Sequence, residues 1–133
     1  MKTIELNGGP EAVGAARHAI EELADREALP RVEDLRLLVS ELVTNSVLHG
    51  GAGRDGCVEL HVHRPDSCVR VEVCDRGSTW VEQIRSTSLD SEQPAGGWGL
   101  MLVSTLADRW GVEVDEGTCV WFELEDQAIG HRP

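Results

Sequence analysis

Two short segments with alternating apolar and polar residues place the strongest constraint on the fold. Cys57–His63 and Cys68–Asp75 each carry valine or leucine at every second position, with mostly polar or charged residues between them. Such alternation is typical of a strand with one buried and one exposed face. The four residues 64–67, Arg-Pro-Asp-Ser, have the composition of a turn. We therefore predict an antiparallel pair of strands whose valine faces need a second layer to cover them.

The rest of the chain supplies that layer and further strands. Apolar residues recur at helical spacing in 10–27, 31–49 and 100–108, which predicts three helices. Two more segments, 111–115 and 118–124, predict strands around a turn. Helices gathered on one face of a mainly antiparallel sheet form a two-layer α+β sandwich, and this is the fold class that we predict.

Length and composition narrow the class of protein. The 133 residues suit one domain spanning 1–133. The formal net charge of −12 argues against a nucleic-acid partner, because phosphate binding needs a basic patch. No window holds the roughly 18 apolar residues of a membrane span, so we expect no membrane partner and a cytoplasmic location. The four cysteines form no C-x-x-C pair, and in a reducing cytoplasm we expect free thiols.

The second predicted helix carries an unusual polar column. Glu41, Asn45 and His49 are spaced four residues apart, so they share one face of the helix beside its apolar stripe. Asparagine is a poor helix former, because its amide competes for nearby backbone groups. A solvated polar stripe is one explanation for the column, and a binding or catalytic site is the other.

Two further signals lie farther along the chain. Asp75 has the parity of the valines of its strand, so it points toward the helices if the strand stays regular; alternatively, it only begins a loop. Residues 96–100, Gly-Gly-Trp-Gly-Leu, precede the third helix. Backbone N–H groups at a helix N-terminus can bind an anion, although glycines there can also form a simple hinge. The long stretch 76–97 between these signals shows no clear period, which is typical of a functional or mobile loop.

Together the three signals resemble the GHKL ATPase superfamily. The resembling segments are LLVSELVTNSVLHG, VEVCDRG, GGWGLMLVSTLADRWGV and GTCVWFELE, which extend over most of residues 37–125. The chain is most similar to the small single-domain branch of anti-sigma-factor serine kinases and their actinobacterial relatives. The resemblance implies ATP and Mg²⁺ as ligands, with 76–97 as a lid over the nucleotide.

The resemblance also implies roles for individual residues. Glu41 takes the place of the general base, and Asn45 takes the place of the Mg²⁺ ligand. Asp75 accepts a hydrogen bond from the adenine amino group. His49 lines the phosphate side or caps the helix. The remaining nucleotide-binding positions are Gly77, Gly97, Gly99, Leu100 and Thr118.

The implied activity is that of an ATP-dependent kinase that phosphorylates a serine or threonine on an anti-anti-sigma-type partner. The alternative is a nucleotide-gated module that holds a partner without phosphoryl transfer. The resemblance leaves open whether the chain also binds a sigma factor and whether it forms a homodimer. A detached histidine-kinase domain is less favoured, because the sequence shows no dimerisation helices.

The roles of three further features are not decided by the sequence. Trp98 interrupts the glycines, and nothing in the sequence decides its role. Trp121 has the parity of the sheet face away from the helices, where it forms either a partner surface or a covered edge. The His-x-His pair His61 and His63 shares one strand face with Glu59, and we favour a solvated face over a zinc site there.

Overall fold

The structure, a computed structural model, describes residues 2–7, 9–49, 57–75, 99–114 and 117–126. The elements in these ranges are β1 (Lys2–Asn7), α1 (Glu11–Glu27), α2 (Val32–His49), β2 (Cys57–His63), β3 (Cys68–Asp75), α3 (Gly99–Leu106), β4 (Arg109–Val114) and β5 (Thr118–Glu125). The bounds of β2 and β3 are those predicted from the alternation, and the other predicted elements begin and end within two residues of their predicted limits.

The described strands form one antiparallel sheet in the order β1-β2-β3-β5-β4. The predicted hairpin of β2 and β3 is confirmed, with Leu60 opposite Val73 and Val62 opposite Val71. β5 lies on the other side of β3, and its register runs from Cys68 opposite Glu125 to Asp75 opposite Thr118. Strands far apart in the sequence therefore meet at the centre of the sheet.

The helices cover one face of this sheet, which confirms the two-layer α+β class. α1 packs on α2 and β1, and α2 packs on β3 and α3. The core between the layers consists of aliphatic side chains and a single phenylalanine, none more than 1% exposed at its centre: Ile20, Leu35, Leu38, Leu42, Val58, Leu60, Val69, Val71, Val73, Val120, Phe122 and Leu124. The valine faces of β2 and β3 are buried here, as the alternation required.

The strand β1 is the one described element that the sequence reading left out. Lys2–Asn7 pairs with β2 at the edge of the sheet, and Leu6 is its only buried residue. A six-residue edge strand with so few apolar positions carries little periodic signal. Its place in the sheet depends on pairing with residues 50 to 60 positions away.

The expectation of free thiols is wrong for two of the four cysteines. Cys74 and Cys119 lie opposite each other on β3 and β5 and form a disulfide. Cys68 is a buried free cysteine. The pairing depends on the sheet order, because 45 residues separate the two half-cystines along the chain.

Within the described part of the chain, every helix is too short or too polar to span a membrane.

Candidate functional site

The polar column of α2 lies where that helix meets the core. Leu38 and Leu42 are fully buried and fix the rotation of the helix against the sheet. With that rotation, Asn45 is only 6% exposed, whereas Glu41, one turn earlier, is half-buried. The amide therefore lies inside the protein surface, and the carboxylate remains accessible to solvent or to a partner. His49 ends the helix, but its side chain lies outside the described residues.

Next to Asn45 lies a buried hydroxyl that the sequence reading missed. Ser46 is fully buried, and its Oγ has no hydrogen-bond partner among the described residues. Ser40 and Thr44 on the same helix behave differently, because each donates to the carbonyl four residues earlier, at 2.7 Å. Buried polar groups are nearly always hydrogen-bonded, so an orphaned one beside a candidate site marks a position where a ligand or water belongs. The sequence did hold a signal for this residue, because Ser46 falls on the apolar stripe of α2.

Two polar side chains from different strands meet at one end of the sheet. Asp75 is the last residue of β3 and Thr118 is the first of β5, and the two are register partners. Both face the helical layer, where Asp75 is 6% exposed and Thr118 is fully buried. The parity prediction for Asp75 is therefore confirmed. Directly opposite residues in an antiparallel pair have Cβ atoms about 5 Å apart, so both side chains can contact one small ligand group.

The third helix packs against α2. α3 starts at Gly99 and packs on α2, so its N-terminal N–H groups lie on an element adjacent to the polar column. Leu100 follows in the same helix, but its side chain is not among those described. The predicted lid at 76–97, together with Gly77, Gly97 and Trp98, lies outside the described residues.

An arginine links α2 to the far end of α3. The guanidinium of Arg31 donates to Asp34 at 3.0 Å, to Asp108 at 3.0 Å and to the carbonyl oxygen of Leu106 at 3.1 Å. Its side chain is only 11% exposed. Through these three acceptors, one largely buried guanidinium holds the start of α2 against the end of α3. This link fixes the two helices that carry the polar column and the glycine-led N-terminus.

The described side chains suit Mg²⁺ only if a bound ligand supplies part of its coordination. Within the described ranges, no group of three or more histidine, cysteine, aspartate or glutamate side chains could hold a metal by itself. Mg²⁺ prefers oxygen ligands, retains several waters and is often bound through substrate phosphates with one or two protein ligands. The Asn45 amide fits this mode, because it offers one oxygen on a fixed helix face. The chain therefore fits an ion that arrives together with a phosphorylated ligand.

The face of the sheet away from the helices forms a charged network. Arg109 donates to Glu123 at 2.6 Å and to Glu125 at 2.9 Å, and Arg70 donates to Glu123 at 3.0 Å. The hydrogen bond from Arg109 is the main reason that the pKa of Glu123 is lowered. These hydrogen bonds pair the strand carboxylates with arginines and stabilise the sheet. The carboxylates are therefore not free to bind a ligand.

Trp121 belongs to the same face and is covered. The guanidinium carbon of Arg70 lies 4.1 Å from the centroid of its ring. A Cβ atom added at Gly111 would approach the ring to 2.8 Å. These contacts favour a covered position over a partner surface for Trp121, although β5 lies between β3 and β4 and is not an edge strand. On the same face of the sheet, in β2, His61 and Glu59 are hydrogen-bonded at 3.1 Å.

A cavity of about 470 Å³ lies at the opposite end of the sheet and is not part of the candidate site. It is bordered by Cys68, which begins β3, whereas Asp75 ends it. Three of the carboxylates around it, Glu123, Glu125 and Asp126, accept hydrogen bonds from arginines, for example Asp126 from Arg64 at 3.1 Å. The buried Ser46 hydroxyl, which has no hydrogen-bond partner among the described residues, lies on α2 instead.

Comparison with known proteins identifies the family. Residues 6–124 match the family described as "Histidine kinase-like ATPase domain". The chain belongs to the histidine kinase-like ATPase family. This confirms the resemblance drawn from the α2 column, Asp75 and the glycines, and it places those residues within the matched region.

Curated relatives agree with this assignment, and solved structures share the fold. "Serine-protein kinase RsbW" of Listeria innocua serovar 6a is 33% identical, and the alignment covers 89% of this chain and 82% of the relative. The protein of the same name from Bacillus pumilus is 31% identical over 88% and 80% of the two chains. The nucleotide-free catalytic domain of histidine kinase ThkA has a similar fold, with a TM-score of 0.60 at 15% identity over 95% of this chain and 97% of that one. The blue-light activated histidine kinase domain from Erythrobacter litoralis has a TM-score of 0.54 at 23% identity, over 86% of this chain and 59% of that one.

Proposed function

We propose that this histidine kinase-like ATPase domain is a protein serine/threonine kinase that transfers the γ-phosphoryl group of ATP to a small anti-anti-sigma-type partner. The family match supports ATP as the substrate. Two relatives that exceed 30% identity over most of both chains carry the name serine-protein kinase, which supports a hydroxyl acceptor on a protein. We further propose that residues 1–133 act as one domain and that the protein works in the cytoplasm.

The single observation that carries the proposal is the different exposure of Glu41 and Asn45. Asn45 is almost fully buried, as befits a group that holds an ion within a pocket. Glu41 lies one helical turn away and is half-buried, so a hydroxyl presented by another protein can reach it. A site that only bound nucleotide would not need an accessible carboxylate at this position.

The reaction follows from these two positions. The Glu41 carboxylate orients the acceptor hydroxyl and takes its proton as the hydroxyl oxygen bonds to the γ-phosphorus. The bond between that phosphorus and the β,γ-bridging oxygen breaks, and ADP leaves. Mg²⁺, held in part by the Asn45 oxygen, neutralises charge on the phosphates when it is bound. The N–H groups at the start of α3 provide further donors for the phosphate oxygens.

Asp75 and Thr118 recognise the other end of the nucleotide in this proposal. The buried Asp75 carboxylate accepts a hydrogen bond from the adenine amino group, and the Thr118 hydroxyl lies beside it. An acceptor at this position favours adenine over guanine, which carries a carbonyl oxygen there. The buried Ser46 hydroxyl gives a further polar group on α2 that a bound nucleotide or its water can satisfy.

Incubation with labelled ATP, Mg²⁺ and purified anti-anti-sigma-type proteins tests the proposal. We expect label on a serine or threonine of one such partner and none without Mg²⁺. Calorimetry with ATP, run in parallel, separates binding from transfer. Tight ATP binding without transfer to any partner would contradict the kinase and support the nucleotide-gated binding module. No ATP binding at high micromolar protein would contradict both.

A further inference from the structure

The disulfide lies directly beside the proposed adenine-binding pair. Cys74 precedes Asp75 on β3, and Cys119 follows Thr118 on β5. The two pairs are neighbouring rungs of the same ladder, and the rung of Asp75 and Thr118 is the last one at this end. The disulfide thus joins the two strands one residue away from the polar pair.

The sulfur atoms are placed for exchange with solvent. Successive side chains of a strand point to opposite faces, so Cys74 and Cys119 lie on the face away from the helices. Both are half-buried, in contrast to Cys68, which is 7% exposed. Among the described residues no helix covers this face of the sheet, so a small thiol can approach the disulfide there without entering the proposed nucleotide site on the other face.

The proposed cytoplasmic location bears on the role of this disulfide. Disulfides are rare in cytosolic proteins, and those that occur there are usually transient and redox-sensing or catalytic. Cys74 and Cys119 take no part in the proposed transfer chemistry. A cross-link that cytosolic thiols can open therefore lies one residue from the proposed binding group.

We propose that Cys74 and Cys119 form a reversible thiol–disulfide site that controls adenine-nucleotide affinity through the adjacent strand ends. Two molecules of a low-molecular-weight thiol open the disulfide. The first thiolate attacks one protein sulfur, which breaks the S–S bond, releases the other cysteine as a thiolate and gives a mixed disulfide. The second thiolate attacks the small-molecule sulfur of this mixed disulfide, which releases the remaining cysteine thiolate and forms a small-molecule disulfide. The protein gains two electrons and two protons and ends with two thiols. This inference rests on the adenine-binding role of Asp75 in the proposed function.

The closed disulfide is the high-affinity form. It holds Asp75 and Thr118 in register at the end of the ladder, where strand termini otherwise fray. A frayed end lowers the fraction of molecules in the binding-competent arrangement, and the apparent dissociation constant rises by the inverse of that fraction. We expect reduction to weaken ATP binding by about three- to tenfold on this basis.

The test uses the wild-type chain in two redox states. Protein equilibrated in oxidised and in reduced glutathione is digested and mapped for the cross-linked peptide that contains Cys74 and Cys119, and ATP affinity is measured by calorimetry in each state. We expect the cross-link and the higher affinity in the oxidised sample only. The double variant Cys74→Ser/Cys119→Ser should bind like the reduced wild type in both buffers. Cys68→Ala, the control, should respond to glutathione as the wild type does.

Different results separate this inference from the proposed function. Equal ATP affinity in the cross-linked and reduced samples would overturn the redox control and leave the kinase proposal intact. Failure to form the cross-link in oxidised glutathione would overturn it as well. Absence of ATP binding in both states would instead overturn the proposed function, and the redox control with it.

Discussion

Replacement of Asp75 by asparagine tests the adenine end of the proposed site. Asp75 is 6% exposed, so a hydrogen bond that it accepts forms away from bulk water. A charge-assisted hydrogen bond contributes about 1.5–3 kcal/mol, and a neutral one contributes about 0.5–1.5 kcal/mol. Asp75→Asn keeps an acceptor oxygen but loses the charge, a difference of about 1–1.5 kcal/mol, which predicts an ATP affinity about five- to 13-fold lower. Asp75→Ala removes the bond, which predicts a loss of about 13- to 150-fold.

Titration calorimetry with ATP and with GTP gives the readout. The asparagine amide can donate to the guanine carbonyl oxygen, so the preference for ATP over GTP should narrow in Asp75→Asn. The matched control is Glu72→Gln, a carboxylate three residues earlier on the opposite face of β3, bound to Arg70 at 3.0 Å. It should leave both affinities unchanged. If Asp75→Asn binds ATP and GTP as the wild type does, the assignment of adenine recognition to Asp75 is refuted.

Three further predictions concern the scaffold, and urea unfolding measures each. Gly111→Ala should destabilise the fold by about 1–3 kcal/mol, the usual cost of overpacking, because its Cβ would approach the Trp121 ring to 2.8 Å; an unchanged unfolding midpoint would contradict this. Ser46→Ala should stabilise the nucleotide-free protein by about 1 kcal/mol, since it removes a buried hydroxyl without a partner, and a destabilised variant would show that the hydroxyl is satisfied. Arg109→Gln should cost stability above about pH 4.3, the ordinary pKa of glutamate. Because the pKa of Glu123 is lowered mainly by the hydrogen bond from Arg109, the difference from wild type should shrink as the pH falls below that value, and a pH-independent difference would contradict the coupling.

Local periodicity predicted most of the described elements. β2 and β3 alternate over their whole length, so their limits, their pairing and the inward direction of Asp75 could be read from the sequence. α2 was clear as well, because its apolar residues recur at every helical turn. These features depend on neighbours within a few residues, and such neighbours are visible in a linear sequence.

What the sequence could not show depends on the order of strands in the sheet. β5 pairs with β3 although α3 and β4 lie between them in the chain, and this pairing brings Thr118 beside Asp75 and Cys119 beside Cys74. No local pattern encodes such a contact. Thr118 therefore entered the candidate site only through the resemblance, and the disulfide was missed. Arg31 was missed for the same reason, because its contact with Asp108 joins residues 77 positions apart.

The central claim is that Glu41 acts in the chemistry and Asn45 acts in Mg²⁺ binding. The decisive measurement is the rate of phosphoryl transfer to a partner, with ATP affinity, for Glu41→Gln, for Asn45→Ala and for the control Glu33→Gln, an exposed carboxylate on the same helix. Glu41→Gln should bind ATP as the wild type does and transfer phosphate about 10²- to 10⁴-fold more slowly, the range for loss of a general base. Asn45→Ala should lose Mg²⁺-dependent affinity as well as turnover, and Glu33→Gln should change neither. Transfer by Glu41→Gln at the wild-type rate would contradict the account.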